Sequence, residues 1–389
     1  MPEQQAMRVA TRSGKCPFDP SPELAASIND DELNRILVGS PLLGEFEAVS
    51  VTRYEDARTV MGTESLRMGG AMPDQAGNLL SYDGAEHARL RRMLTGSFTV
   101  KRVRELRPMI EKVVQARLDA LELAGPGADL VQVVCAPVPT LVICELLGVP
   151  YADREAFQRR TEIVLDFNTP RELHIEKTAE MEAYMANLVA GHREQPGDNL
   201  FGGIVCDHGD ELTDAELIGI GNMLLIAGHE TIASMLSASI ALLFQHPDQL
   251  AIIRDDESAI ENAIEELLRY VSPASILPRN AGTAICVRDQ EIKAGEQIVV
   301  SILAANRDLG VTGENLDELD VRRAPKPHIT FGYGPHQCLG QQLARMELRV
   351  ALPALFNRFP ELRLTVEPDE LDYKTQALVF GVHSLPVTW

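Results

Sequence analysis

From Phe331 to Gly340 the chain reads FGYGPHQCLG, and the helix-forming run QQLARMELRVAL follows at once. No other stretch restricts the fold as tightly. Gly332 and Gly334 give the backbone conformations closed to other residues and let it approach a flat ligand. Cys338 stands at the N-terminal end of the following helix, where the helix dipole and unpaired N–H groups favour an anion and lower a thiol pKa. Gly340 lets the chain enter that helix with no side chain in the way. The arrangement suits a thiolate in a rigid, donor-rich pocket. Such a thiolate is a nucleophile if a base stands beside it, with His336 the nearby candidate, or a metal ligand if a charged cofactor neutralises it.

The rest of the chain narrows the choice. Its 389 residues, 45% of them hydrophobic, can bury a large core, and no linker, low-complexity tract or internal repeat divides them. One domain over residues 1–389 is expected, with 1–20 as an extended N-terminal arm. The N-terminal MPEQQAMRVATRSGKCPFDP lacks the apolar run of a signal peptide, and no later stretch reaches the roughly 18 uninterrupted apolar residues of a membrane span. A soluble, cytoplasmic protein without a membrane partner is the expectation. Cysteines at 16, 135, 144, 206, 286 and 338 form no CxxC or other zinc or iron–sulfur spacing. A net charge of −21 argues against binding nucleic acid or anionic lipid. Against that background Arg89, Arg91, Arg92, Lys101, Arg102, Arg104 and Arg107 form a basic island suited to an acidic protein partner.

Helical periodicity dominates, over Val103–Leu123, Leu217–Leu243, Ala259–Tyr270 and Gln341–Phe359, and Thr213 to Glu216 offer a capping box. Strand signals cluster late. TAICVRDQEIKAGEQIVVSIL predicts short strands turning at Asp289-Gln290 and Ala294-Gly295, and TQALVFGVHSLPVTW predicts a further hairpin. The fold class is mainly α with a minor β portion.

Three further constellations carry chemistry. Glu266 and Arg269 are three apart on a helix whose apolar flanks imply burial, so the pair needs further partners. Gly219, Gly221 and Gly228 in one helix imply close packing or a kink beside a ligand. His87 and Arg91, four apart on one helix face, are placed to receive a buried anion. A dinucleotide reading of Gly332-Tyr333-Gly334 fails, because Gln337 stands where the third glycine belongs.

The pattern FxxGxxxCxG, filled by Phe331, Gly334, Cys338 and Gly340, resembles the haem-binding loop of the cytochromes P-450, whose cysteine is the thiolate ligand of haem iron. The resemblance covers about residue 80 to the C-terminus, with four motifs in the family's order. It implies a single P-450 fold with haem b between an oxygen-binding helix and the cysteine loop. It implies that Arg323 completes the Glu266–Arg269 pair. Ala227-Gly228-His229-Glu230-Thr231 matches the [AG]GxxT segment, in which the helix opens locally; Thr231 would handle dioxygen and Glu230 relay protons. His87, Arg91, Arg279 and His336 match the haem-propionate contacts, and Phe331, Gly332, Gly340, Ala227 and Gly228 would line the cofactor. Leu309 departs from the family, which has Pro there.

The activity implied is a monooxygenase of the soluble bacterial, actinomycete type, hydroxylating or epoxidising an apolar small molecule with dioxygen. No redox module is fused, so electrons would come from an acidic ferredoxin and its NAD(P)H-dependent reductase, docking on the basic island. Met68–Asn78, Ile163–Met185, Met223–Ala227, Ala274–Leu277 and Leu378–Phe380 would line the substrate pocket. A macrolide-, polyketide- or terpenoid-like metabolite, or a xenobiotic, is the substrate class. The alternatives are a haem-thiolate peroxygenase or isomerase, a haem-binding sensor, and a cysteine hydrolase without haem.

Overall fold

Thr213 opens the longest described helix, Asp214–Gln245, through a reciprocal cap. Its hydroxyl accepts from the Glu216 N–H at 3.2 Å, while Glu216 Oε2 accepts from the Thr213 N–H at 2.8 Å. From Ile232 to Leu243 every residue is buried, so this helix runs through the core and not along its surface. It is the one described helix long and apolar enough to cross a membrane, and 67% of the qualifying window lies inside the protein. Its N-terminal half uses small residues for close approach: a Cβ on Gly219 would lie 1.6 Å from the Ala76 carbonyl oxygen. The helix is continuous through Gly228.

The computed structural model describes residues 7–8, 12–14, 16–40, 44–68, 75–165, 169–312, 315–375, 377 and 379–389. Around the central helix pack Val100–Ala124, Pro137–Leu147, Ile260–Val271 and Gln341–Arg358. They share one hydrophobic cluster that includes Leu118, Val142, Leu236, Leu267 and Leu352. The expected helices are all present, with ends displaced by at most three residues.

A six-stranded sheet lies to one side, in the order Met7–Arg8, Asn34–Ser40, Gly44–Val51, Gln297–Ser301, Ile276–Ala281 and Leu66–Arg67. A smaller cluster of Val49, Val51, Val60, Ile298 and Val300 backs it. The architecture is mainly α with a minor β portion, but the strands do not all fall late. Gly44–Val51 forms an antiparallel hairpin with Asn34–Ser40 and joins the rest of the sheet by parallel pairing of Val49 with Ile298, a partner far along the chain. The hairpin of Ile285–Val287 and Gln290–Ile292 turns at Arg288-Asp289, both at positive φ, one residue before the expected place. Of the predicted C-terminal hairpin, residues 376 and 378 lie outside the described residues; among the described ones Tyr373 bridges Val382, Pro386 bridges Asp129, and Val387–Thr388 pairs with Arg363–Leu364. Of the N-terminal arm, Arg12 and Pro20 bridge to each other and Phe18 is fully buried. The Arg12 guanidinium donates to Ser275 Oγ at 3.0 Å and to the Val271 carbonyl at 2.7 Å.

The base of the cysteine loop is set by a buried ion network. Arg269 Nε donates to Glu266 Oε2 at 2.8 Å and Nη2 to Oε1 at 2.9 Å. Arg323 Nε adds a third donor at 3.1 Å and the Asp320 N–H a fourth at 3.2 Å. Arg269 Nη1 reaches the Asn306 and Leu316 carbonyls, both at 3.0 Å. Burial alone would raise the Glu266 carboxyl, but these donors and charges hold it below its ordinary value. Arg269→Ala strands Glu266 in the core and should cost about 3–5 kcal/mol. Arg323→Ala leaves the two-pronged pair intact and should cost about 1.5–3 kcal/mol. Urea unfolding of the two variants checks this order, and equal losses would contradict it.

Candidate active site

A cavity of about 960 Å³, its mouth included, opens between the central helix and the cysteine loop. Its walls are apolar, with Ile143, Leu146, Met223, Leu224, Ile232 and Leu343 among them. Four segments bring polar groups to it: His87 and Arg91 from helix Gly84–Thr95, Thr231 from the central helix, His336 to Gly340 from the loop, and Glu347 from helix Gln341–Arg358.

The loop takes its shape from glycine. Gly332 and Gly334 adopt φ of +71° and +75°, and a Cβ on Gly334 would lie 2.6 Å from the Met61 carbonyl oxygen. The Cys338 N–H closes the loop on the Phe331 carbonyl at 2.8 Å. Behind it the Arg345 guanidinium lies 4.5 Å from the Phe331 ring centre. Arg345 Nε and Nη2 in turn hold Glu265 at 2.7 and 2.9 Å, and His328 Nε2 meets the same carboxylate at 3.1 Å. Burial opposes ionisation of Glu265, yet these partners bring it down to about 2.

Cys338 is accessible from the cavity while lying deep in the protein. The expected lowering of its thiol pKa is corrected here: burial pushes the thiol up. The Gly340 N–H, Arg91 and Arg345 act the other way without overcoming it. An apolar wall penalises the thiolate more than the helix terminus rewards it.

Beside the loop, the His87 and His336 rings lie 4.1 Å apart between centres, tilted by 42°. His336 Nε2 meets Asp83 Oδ1 at 2.9 Å, and Arg91 Nη2 donates to the Gln337 carbonyl. His87 Nε2 is buried without a hydrogen-bond partner among the described residues. Burial, then the charges of His336 and Arg91, bring His87 down to about 4. Arg279 is 3% exposed and donates to Met68 Sδ and to its neighbour's carbonyl, that of Pro278, at 2.8 Å. No described carboxylate forms an ion pair with it, and burial lowers its pKa to about 10 against the pull of Asp83.

On the central helix, Ala227, Gly228 and Thr231 line the cavity, and Thr231 Oγ1 donates back to the Ala227 carbonyl at 2.7 Å. Glu230 does not line it. Its Oε1 accepts from Lys374 Nζ at 2.9 Å and from Ser234 Oγ at 3.0 Å. Phe331, Gly332 and Arg279 also stay off the cavity wall. Of the segments expected to line a substrate pocket, Met223–Ala227 alone contributes to this cavity; residues 69–74, 166–168 and Leu378 lie outside the described residues. Sequence reasoning missed Glu265, Lys374 and Glu347, none of which shares local spacing with its surroundings at the site. It also passed over His229, buried inside the Thr231 motif with Nδ1 2.5 Å from Thr140 Oγ1.

Comparison with known proteins agrees with this geometry. A family model described as Cytochrome P450 matches residues 41–388. Cytochrome P450-SU2 of Streptomyces griseolus is 38% identical over 98% of this chain and 96% of its own. The mycinamicin VIII C21 methyl hydroxylase of Micromonospora griseorubida is 39% identical over 90% of this chain and 91% of its own. The crystal structure of CYP105P1 in complex with filipin I superposes with a TM-score of 0.90 at 34% identity, covering 99% of each chain. The chain belongs to the cytochrome P450 family. It is a haem-thiolate monooxygenase, and its cofactor is haem.

The residues present fit that group. Among the described residues, Arg279 is a buried cation with no ion pair, drawn only at a distance by Asp83, and His87 Nε2 is a buried polar atom with no hydrogen-bond partner, as carboxylates of a ligand would require. A Cβ built on Gly340 meets nothing within 4 Å, so packing within the protein does not demand glycine there, whereas a flat group against the loop does.

His229 supplies a test of the frame around the site. Burial brings it down to about 4, so the folded chain keeps it neutral to that pH, whereas the unfolded chain takes up the proton near 6.5. Acidification through this window therefore favours unfolding. His229→Gln should relieve that loss by about 3 kcal/mol at pH 4 relative to pH 7, read from denaturant unfolding at the two pH values.

Proposed function

We propose that this enzyme is a cytoplasmic monooxygenase that hydroxylates or epoxidises a bulky, largely apolar secondary metabolite or xenobiotic. Electrons come from a separate acidic ferredoxin and its NAD(P)H-dependent reductase. One observation carries the reading: the Cys338 thiol and the Thr231 hydroxyl face a single apolar cavity flanked by His87, Arg91 and His336. A hydroxylase named for mycinamicin VIII and a structure holding filipin I are in keeping with a natural-product substrate.

When bound, haem supplies the redox chemistry that activates dioxygen. Cys338 Sγ would be the iron ligand, and its thiolate form, which burial alone disfavours, would be favoured beside a metal cation. His87, Arg91 and His336 on the cavity, with Arg279 behind its wall, would receive the two propionates. Gly340 would lie against the cofactor from the loop and Ala227 and Gly228 from the central helix, while Phe331 and Gly332 would shape the loop behind it. Thr231 Oγ1 spends its proton on the Ala227 carbonyl and so presents lone pairs to the cavity, where it holds a water or the dioxygen-derived oxygen in place. Glu230 relays protons only once it leaves Lys374.

For the redox partner, the basic island divides. Arg91 is turned inward, Arg89 is tied to Glu86 and Glu216, and Arg107 to Glu111. Arg92, Lys101, Arg102 and Arg104 stay exposed, Arg102 in a loose 3.3 Å pair with Glu105. These four are the docking charges.

The reduced protein exposed to carbon monoxide should give the strongly red-shifted Soret band of a thiolate-ligated haem, and Cys338→Ala should abolish it. An unshifted band in the wild type would overturn the assignment. Arg102→Glu with Arg104→Glu should slow ferredoxin-driven turnover at least tenfold at low salt with haem content unchanged. Unchanged turnover would remove the docking proposal and leave the haem assignment untouched.

A further inference from the structure

Met223 stands where the central helix meets the segment that leads into helix Gly84–Thr95. It is 9% exposed and lines the cavity, and its Sδ accepts the buried Leu79 N–H at 3.4 Å. Leu79 and Leu80 belong to the same wall. The segment lies against the helix over about two turns without slack. Gly77 has a φ of +79°, and a Cβ on it would lie 2.0 Å from the Glu216 carbonyl oxygen. The Ala76 carbonyl fills the space beside Gly219 in the same way, and Arg89 pairs with Glu216 next to them. A thioether is a weak acceptor, so the contact that closes this seam beside the cavity is also the one that chemistry alters most readily. Among the described residues Cys338 is the only other sulfur on the wall, and as iron ligand it would be occupied.

We propose that Met223 is an oxidation site: hydrogen peroxide released into the cavity when turnover runs without substrate converts its thioether to the sulfoxide, and the added oxygen pushes residues 75–81 off the central helix. The proposal rests on the haem-thiolate reading and adds to it a control by the enzyme's own by-product. Dioxygen that takes up two electrons and two protons, with no substrate to receive an oxygen atom, leaves as hydrogen peroxide. The O–O bond of the peroxide then breaks and one oxygen bonds to Sδ. The sulfur loses two electrons, and the other oxygen departs as water carrying both protons. The sulfoxide is polar where the thioether was apolar, and the seam has no spare volume for it. Displacing Leu79 and Leu80 removes two apolar side chains from the wall, so the oxidised enzyme holds an apolar ligand less well.

The test uses the haem-loaded protein after its carbon monoxide spectrum has been recorded. Substrate-free turnover is driven by a plant-type ferredoxin and its reductase with catalase in the solution, and peptides are then weighed for an added oxygen atom. Met109 is the control, because it is half-buried on helix Val100–Ala124, off the cavity and more open to solvent than Met223. Catalase destroys peroxide that reaches the solvent, so Met223 should gain the oxygen severalfold faster than Met109. Amide hydrogen exchange over residues 75–81 should rise severalfold in the same sample. In Met223→Leu the same turnover should leave the exchange where that variant began. Met223 unmodified, or modified no faster than Met109, overturns the proposal, and so does a sulfoxide that leaves the exchange unchanged. Should the variant lose haem, wild type kept under carbon monoxide, which blocks dioxygen reduction, serves as the unoxidised reference, and exchange as fast there as after turnover overturns the proposal. Failure of the haem-thiolate reading is separate, because it shows as an unshifted Soret band before any turnover begins.

Discussion

Burial acts on the ionisable groups of the cavity in one direction, toward their neutral forms. It raises the Cys338 thiol and the Glu347 carboxyl, and it lowers His87, His336 and Arg91, as it lowers Arg279 behind the wall. The cause is the apolar wall built by the central helix and its neighbours, which excludes the water that would solvate a charge. A site of this kind holds charge only when a ligand brings the opposite charge with it. An iron cation would reverse the penalty on the thiol, and carboxylates of a bound ligand would reverse it on the arginines. The same dry wall therefore makes the protein a receptor for one particular distribution of charge.

Holding the thiol in place is the task of groups on the far side of the loop. Glu266 gathers Arg269, Arg323 and the Asp320 N–H, while Glu265, one residue away, gathers Arg345 and His328. Consecutive glutamates on one helix thus point to two different networks. One anchors the segment before the loop and the other anchors the helix after it. Phe331 lies under Arg345, so the second network touches the loop directly. Both carboxyls stay ionised despite burial because each has several donors, the reverse of Glu347 with none described.

Much of this was legible in the sequence because it depends on neighbours close along the chain. Phe331 to Gly340, the Thr213 cap, the Glu266–Arg269 spacing and the His87–Arg91 spacing are local, and the structure places them as local patterns allow. What escaped depends largely on contacts between distant segments. Gly44–Val51, a hairpin partner of Asn34–Ser40, joins the main sheet through Gln297–Ser301, Glu230 turns to Lys374, and Glu265 meets Arg345. The direction of the Cys338 shift escaped for a related reason: helix position is local, but desolvation is the sum of everything packed around the site.

The sheet adds a constraint in time. Val49 and Ile298 are paired residues, and Arg12 finds Ser275 and Val271 as its partners. At a synthesis rate of roughly 5–20 residues per second, Gly44–Val51 can pair with Asn34–Ser40 at once, but its other edge waits tens of seconds for Gln297–Ser301 to leave the ribosome. Through that interval this one edge is open to other nascent chains, and slower translation lengthens the exposure.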